Sequence, residues 1–146
     1  MSGTAVQDRF TPATRQVIEQ AKASVLKYKH THITPEHMLL ALIQTNDTLL
    51  AKGFQIANAT TAQIKILVEH HLRVGDLQLT EEQLMFSERA KRVIEAAKEE
   101  AARAQKPQIG PEHLLLGLAR TRNTVAGAVL AAVDLKEDEL RTAIAG

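Results

Sequence analysis

Apolar residues recur along this chain at helical spacing. They fall at 17, 18, 21 and 25 in the first quarter, and again at 90, 93, 94, 97 and 101. Each run opens on a capping residue: Thr11 followed by Pro12, then Ser87 followed by Glu88. Each fades a few turns later, near His30 and near Gln105, where Pro107 disfavours continuation. A second pair of helices starts at Thr34-Pro35 and Gly110-Pro111. Their apolar runs, MLLALI and LLLGLA, are too continuous for a surface helix and belong at the centre of the fold. Shorter helices are predicted from about Asp47 to Ile56 and Asn123 to Val133, then from Thr60 to Leu72 and Lys136 to Ala145.

These pairs are one pattern written twice. Slid by 76 residues, the chain matches itself without a gap: Phe10 falls on Phe86, and Val17-Ile18-Glu19 on Val93-Ile94-Glu95. Pro35-Glu36-His37 falls on Pro111-Glu112-His113, and Leu39, Leu40 and Leu42 on Leu115, Leu116 and Leu118. An internal repeat of this kind governs the whole fold. The expected architecture is all-α: two tandem four-helix repeats, residues 10–72 and 86–146, packed as one pseudo-twofold globule of about eight helices. Residues 1–9 read as a flexible N-terminal tail. Residues 73–85 join the repeats, either as an exposed linker or with a short extra helix from Thr80.

Composition narrows the function. The chain has 146 residues, 45% of them hydrophobic and 24% charged, with a net charge of +1. That balance lacks the basic field nucleic-acid binding requires. There is no Cys, so no disulfide or thiolate chemistry is available. The first nine residues have neither the basic start nor the apolar core of a secretory signal. The longest apolar stretch, Ala126 to Val133, is far short of a membrane span. The seven glycines never give P-loop spacing, and neither a G-x-S-x-G nor an H-E-x-x-H motif occurs. No catalytic residue, metal site or cofactor is expected.

The polar residues that recur need weighing. His30, His70 and His71 sit at helix C-termini, where the dipole suits them. His37 and His113 lie one turn into a buried helix and are expected to hydrogen-bond within their repeats; a small hydrolase built on them is a competing reading with no other support. Glu36 and Glu112 complement the positive end of their helix. Each is alternatively a surface acid set beside the free amides at the start of the first helix, at Thr11 or Ser87, so that anion and cation sites lie together. Phe10 and Phe86 read either as staple residues packed on their own helices or as contacts for a bound peptide or adaptor.

The segments RFTPATRQVIEQAK, HITPEHMLLALI, FSERAKRVIEAAKEEA and QIGPEHLLLGLA resemble, as a repeated set, the double N-terminal domain of Clp AAA+ unfoldases. The resemblance covers essentially the whole chain from Phe10. It implies docking of protein substrates and adaptors, which pass to an AAA+ ring and a ClpP-type protease, in a cytoplasmic setting or, for a plant or alga, the plastid stroma. It also implies a monomer in isolation, since hexamers belong to the ATPase rings. A free-standing accessory protein acting on the Clp machinery in trans is the alternative. In some members this domain recognises phosphoarginine: the start of the first helix holds phosphate and the glutamate holds guanidinium. Carried over, those positions are Thr11 with Glu36, and Ser87 with Glu112. The family's Thr before the glutamate is Pro35 and Pro111 here.

Overall fold

The computed structural model describes residues 9–145; the expected tail, residues 1–9, lies outside the described residues except for Arg9, as does Gly146. Eight α-helices are present among the described residues. Repeat one holds α1 (Pro12–Lys27), α2 (Pro35–Ile43), α3 (Thr48–Gln55) and α4 (Thr61–Glu69). Repeat two holds α5 (Glu88–Arg103), α6 (Pro111–Arg120), α7 (Val125–Ala132) and α8 (Glu137–Ala145). The joining segment carries a single 3-10 turn, Glu81–Gln83, where Thr80 N–H donates to the Gln83 side chain at 2.8 Å. It then becomes a two-residue strand, β2 (Met85–Phe86).

The helices begin and end where local chemistry requires. Thr11 accepts from the Thr14 amide and Ser87 from the Ala90 amide, both at 3.1 Å. Both long helices stop in the same way. Lys29 (φ 57°) and Gln105 (φ 60°) turn left-handed. The next residues, His30 and Lys106, donate back to Val25 and Ala101. This is a Schellman closure made without glycine. α2 and α6 are almost wholly buried, with Met38, Leu39, Leu42, Leu114, Leu115 and Leu118 fully enclosed, so they form the common core of the molecule.

The repeats are interlocked. Strand β1 (His32–Ile33) of repeat one pairs in parallel with β2, Ile33 opposite Phe86. Its counterpart is a parallel bridge from Phe10 to Ile109. The amides just beyond close the same bonds: Ser87 N–H donates to Ile33 at 3.0 Å, and Thr11 N–H to Ile109 at 3.1 Å. The crossing continues in the helices, since α2 packs on α7 and α6 on α3, while α4 packs on α7 and α8 on α3. Every relation maps onto its partner under the 76-residue offset, as a pseudo-twofold axis requires. Each repeat thus places the start of its first helix against the loop that joins the other's first and second helices.

Candidate functional site

The crossing determines which residues meet. The N-terminus of α5 carries Ser87 and abuts the loop that leads through Ile33 into Thr34, Pro35 and Glu36. The N-terminus of α1 carries Thr11 and abuts Ile109, in the loop that leads through Gly110 into Glu112. The expected pairings within a repeat, Thr11 with Glu36 and Ser87 with Glu112, are therefore exchanged: Ser87 faces Glu36, and Thr11 faces the loop of Glu112. The cause is topological. A two-residue bridge fixes each helix tip on the opposite repeat.

Ser87 and Glu36 line one groove of about 850 Å³ together with Phe86, Glu88 and Lys91. Its other wall is formed by His30, His32 and His37, and its rim by Met85 and Leu77, which are 63% and 54% exposed. Ser87 satisfies the Ala90 amide, which leaves the amides of Glu88 and Arg89 at the helix tip. One turn on, Lys91 brings an ammonium into the groove, paired with exposed Glu88 at 3.2 Å. The opposite tip is poorer in donors: Pro12 has no N–H and Thr11 already serves Thr14, leaving Ala13. Arg15 stands where Lys91 does, its Nε donating to the Phe10 carbonyl at 3.4 Å.

The two glutamates differ for a steric reason. A Cβ at Gly110 would lie 2.5 Å from the Glu112 carboxylate, so this acid folds over the glycine, 7% exposed and 3.7 Å from its own His113 ring. Repeat one has Thr34 there, whose side chain fills that space. Glu36 turns instead to the start of α7 and accepts from the Ala126 amide at 3.1 Å. The matching amide in repeat one, Leu50, is served by Asp47 at 3.0 Å. Asn123 stands in place of Asp47, so Glu36 of one repeat caps a helix of the other.

Phe10 is 2% exposed and belongs to the core, so it offers no surface to a partner. Its bridge to Ile109 draws it under the second repeat. Phe86 is half-buried and does face the groove. His37 and His113 act as N3 acceptors for their own helix starts, receiving the Thr34 amide at 3.0 Å and the Gly110 amide at 2.9 Å. His37 also shares a 2.8 Å bond with His30, which holds the Arg73 carbonyl through its other nitrogen. Burial, and then the nearby His30, push the His37 pKa down to about 4. Burial likewise lowers His113, against the pull of Glu112. These rings are neutral acceptors at their own helix starts; the hydroxyl beside His37, that of Thr34 at 2.7 Å, is the cap of the same helix. Lys91, Met85 and the histidine wall were missed from sequence; Lys91 was legible as a cation one turn past a capped helix start, recurring at Arg15.

Among the described residues no His and acid cluster could hold a metal, and no helix is long and apolar enough to cross a membrane. A capped helix tip with a cation beside it and a carboxylate across the groove can bind a ligand carrying both charges.

The model of the Clp repeat (R) N-terminal domain matches this chain twice, over residues 9–133 and 85–146. The chain belongs to that family, whose domain is a non-catalytic one. The ATP-binding subunit ClpC of Staphylococcus aureus is 32% identical over 136 residues, 93% of this chain but 16% of that protein. ClpC of Staphylococcus epidermidis matches equally, so the chain spans about a sixth of the length of these relatives. The N-domain of ClpV from Vibrio cholerae superposes with a TM-score of 0.82 at 15% identity, covering 99% of this chain and 88% of that one. The N-terminal domain of ClpD from Arabidopsis thaliana gives 0.72 at 23% identity, covering 94% and 93%. Both share the fold.

Proposed function

We propose that this chain is the substrate- and adaptor-docking module of a Clp unfoldase system, and that its crossed pockets receive phosphoarginine side chains. The observation that carries this reading is the groove between Ser87 and Glu36. Phosphate suits a helix tip with unused amides, a serine hydroxyl and a nearby ammonium. Guanidinium suits a carboxylate able to accept from its planar fork. Glu36 spends one oxygen on Ala126 and keeps the other for a ligand. At the other tip Thr11 leaves fewer donors and Glu112 is almost buried, so we take a second site there to be the weaker of the two. Two unequal pockets on one rigid module strengthen capture of a partner marked more than once. Support for the docking role comes from membership in the Clp N-domain family and from the ClpC relatives.

Isothermal calorimetry with free phosphoarginine tests the proposal on the 146-residue chain. The expected isotherm has two sites of unequal affinity. Glu36→Ala and Ser87→Ala remove the tighter one, and Glu112→Ala removes the weaker. Absence of heat at millimolar ligand, or binding unaffected by Glu36→Ala, overturns it.

A further inference from the structure

The internal symmetry exposes a second site. In repeat two, Glu100 is buried at 2% exposure and its carboxylate is gripped by Arg141 through two bonds of 2.9 Å and by Arg120 at 3.2 Å. Arg120 also holds Glu99 at 2.9 Å, and Arg141 holds Glu137 at 3.2 Å and Asp138 at 3.1 Å. This network closes the junction of α5, α6 and α8. Subtracting the 76-residue offset gives the same junction in repeat one, between α1, α2 and α4. There, Glu99 and Glu100 become Ala23 and Ser24, Glu137 and Asp138 become Thr61 and Ala62, and Arg120 becomes Gln44. Two cations survive: Lys65 in place of Arg141, and Lys27 in place of Arg103, which stands 3.9 Å from Glu100 in repeat two. All four acids of the network are lost, and the junction is an open cleft of about 460 Å³ lined by Ser24, Tyr28, Gln44, Lys65 and Glu69 among others.

We propose that this cleft binds an acidic side chain, Asp or Glu, of a docked protein partner, whose carboxylate takes the position that Glu100 fills in repeat two. Lys65 is half-buried and has no ion-pair partner among the described residues. Its own neighbour four residues on, Glu69, faces the Tyr28 hydroxyl, whose pKa rises from burial first and from that carboxylate second. Lys27, which stands 5.8 Å over the Tyr28 ring, adds a second positive charge to the wall. Gln44 and Ser24 supply neutral donors where repeat two has a second guanidinium and the acid itself. The volume accepts one long side chain and its peptide flanks, and its lining shares no residue with the Ser87–Glu36 groove. The template is a side-chain carboxylate, which favours an internal acidic residue over a chain terminus.

The test is an NMR titration of the full 15N-labelled chain with the blocked peptide Ac-AEEEA-NH2, against Ac-AQQQA-NH2. The acidic peptide should move the amides of Ser24, Gln44 and Lys65, and the glutamine peptide should not. Lys65→Met should weaken binding about fivefold, the upper range for one partly exposed ion pair. Ser24→Glu, which supplies the missing carboxylate from within, should abolish it while leaving the thermal midpoint unchanged or higher. Glu36→Ala should leave it intact, so that failure of the phosphoarginine pocket and of this cleft are read separately. Equal shifts with both peptides, unchanged affinity in Lys65→Met, or shifts produced only by a free C-terminal carboxylate (Ac-AAA-OH) overturn the proposal.

Discussion

Replacing Glu100 by glutamine isolates the charge that closes repeat two. The side chain is 1% exposed, whereas Arg120 and Arg141 are each 27% exposed. Removing one member of a buried pair costs about 3–5 kcal/mol when the other is stranded. Here the arginines are not stranded: Arg120 keeps Glu99, Arg141 keeps Glu137 and Asp138, and both reach water. Glutamine also preserves volume and one acceptor oxygen. The expected loss is therefore reduced to about 2–3 kcal/mol, or about 5–10 °C in the thermal midpoint of a chain this long. Urea denaturation at pH 7, followed by far-UV circular dichroism, should give a lower midpoint with an unchanged slope. The bonds from Arg141, more than burial opposes them, hold the Glu100 carboxyl below its ordinary range. Its contribution is present above the unfolded carboxyl pKa and disappears as pH falls through the lower folded value. The gap between wild type and Glu100→Gln should accordingly shrink below about pH 4.5. A loss under about 0.5 kcal/mol at pH 7, the size of a neutral surface change, or a gap that persists in acid, refutes the reasoning.

Three further outcomes follow from the packing. His37 is kept neutral in the fold with a pKa of about 4, against 6.5 unfolded, so the native state takes up fewer protons between those values and loses stability as pH drops through them. His37→Gln, which retains an acceptor at N3 as Gln63 does for Thr60 at 2.8 Å, should flatten that part of the stability–pH curve; a curve unchanged in shape excludes His37 as its source. Gly117 lets α6 approach α5 so closely that an added Cβ would lie 2.6 Å from the Val93 carbonyl. Gly117→Ala should destabilise by about 1–2 kcal/mol despite its better helix propensity, and a stabilised variant would contradict the contact. For phosphoarginine binding, a double-mutant cycle should find Ser87 coupled to Glu36, and Thr11 uncoupled from Glu36. The reverse result would restore pairing within a repeat.

Much of the fold was legible because its signals are local. Thr11 and Ser87 cap helices, Pro35 and Pro111 follow a cap, and the apolar runs of α2 and α6 lie at the centre, all on short-range chemistry. The crossing was not legible. It rests on bridges of one or two residues, Phe10 with Ile109 and Ile33 with Phe86, too short to leave any alternation in the sequence. That omission shaped the site readings: Phe10 was open to reading as a contact because the residues that bury it lie about a hundred positions away, and the glutamates could be paired only with the helix tips of their own repeats. The different orientations of Glu36 and Glu112 depend on a single Cβ, at Thr34 against Gly110. The Glu100 network draws on three helices whose charges are unremarkable one at a time. Only the fold brings those three helices, and with them the charges, to one junction.

The central claim is that ligand-binding pockets form between the repeats, each from one repeat's helix tip and the other's glutamate. An NMR titration of the labelled chain with phosphoarginine, repeated on Glu36→Ala, tests it most directly. The crossed arrangement predicts that wild type shifts at Glu88, Arg89 and Lys91 and that Glu36→Ala silences this set, while the amides after Pro12 still respond. Loss of response at Ala13 with Glu88 and Arg89 unaffected would contradict it.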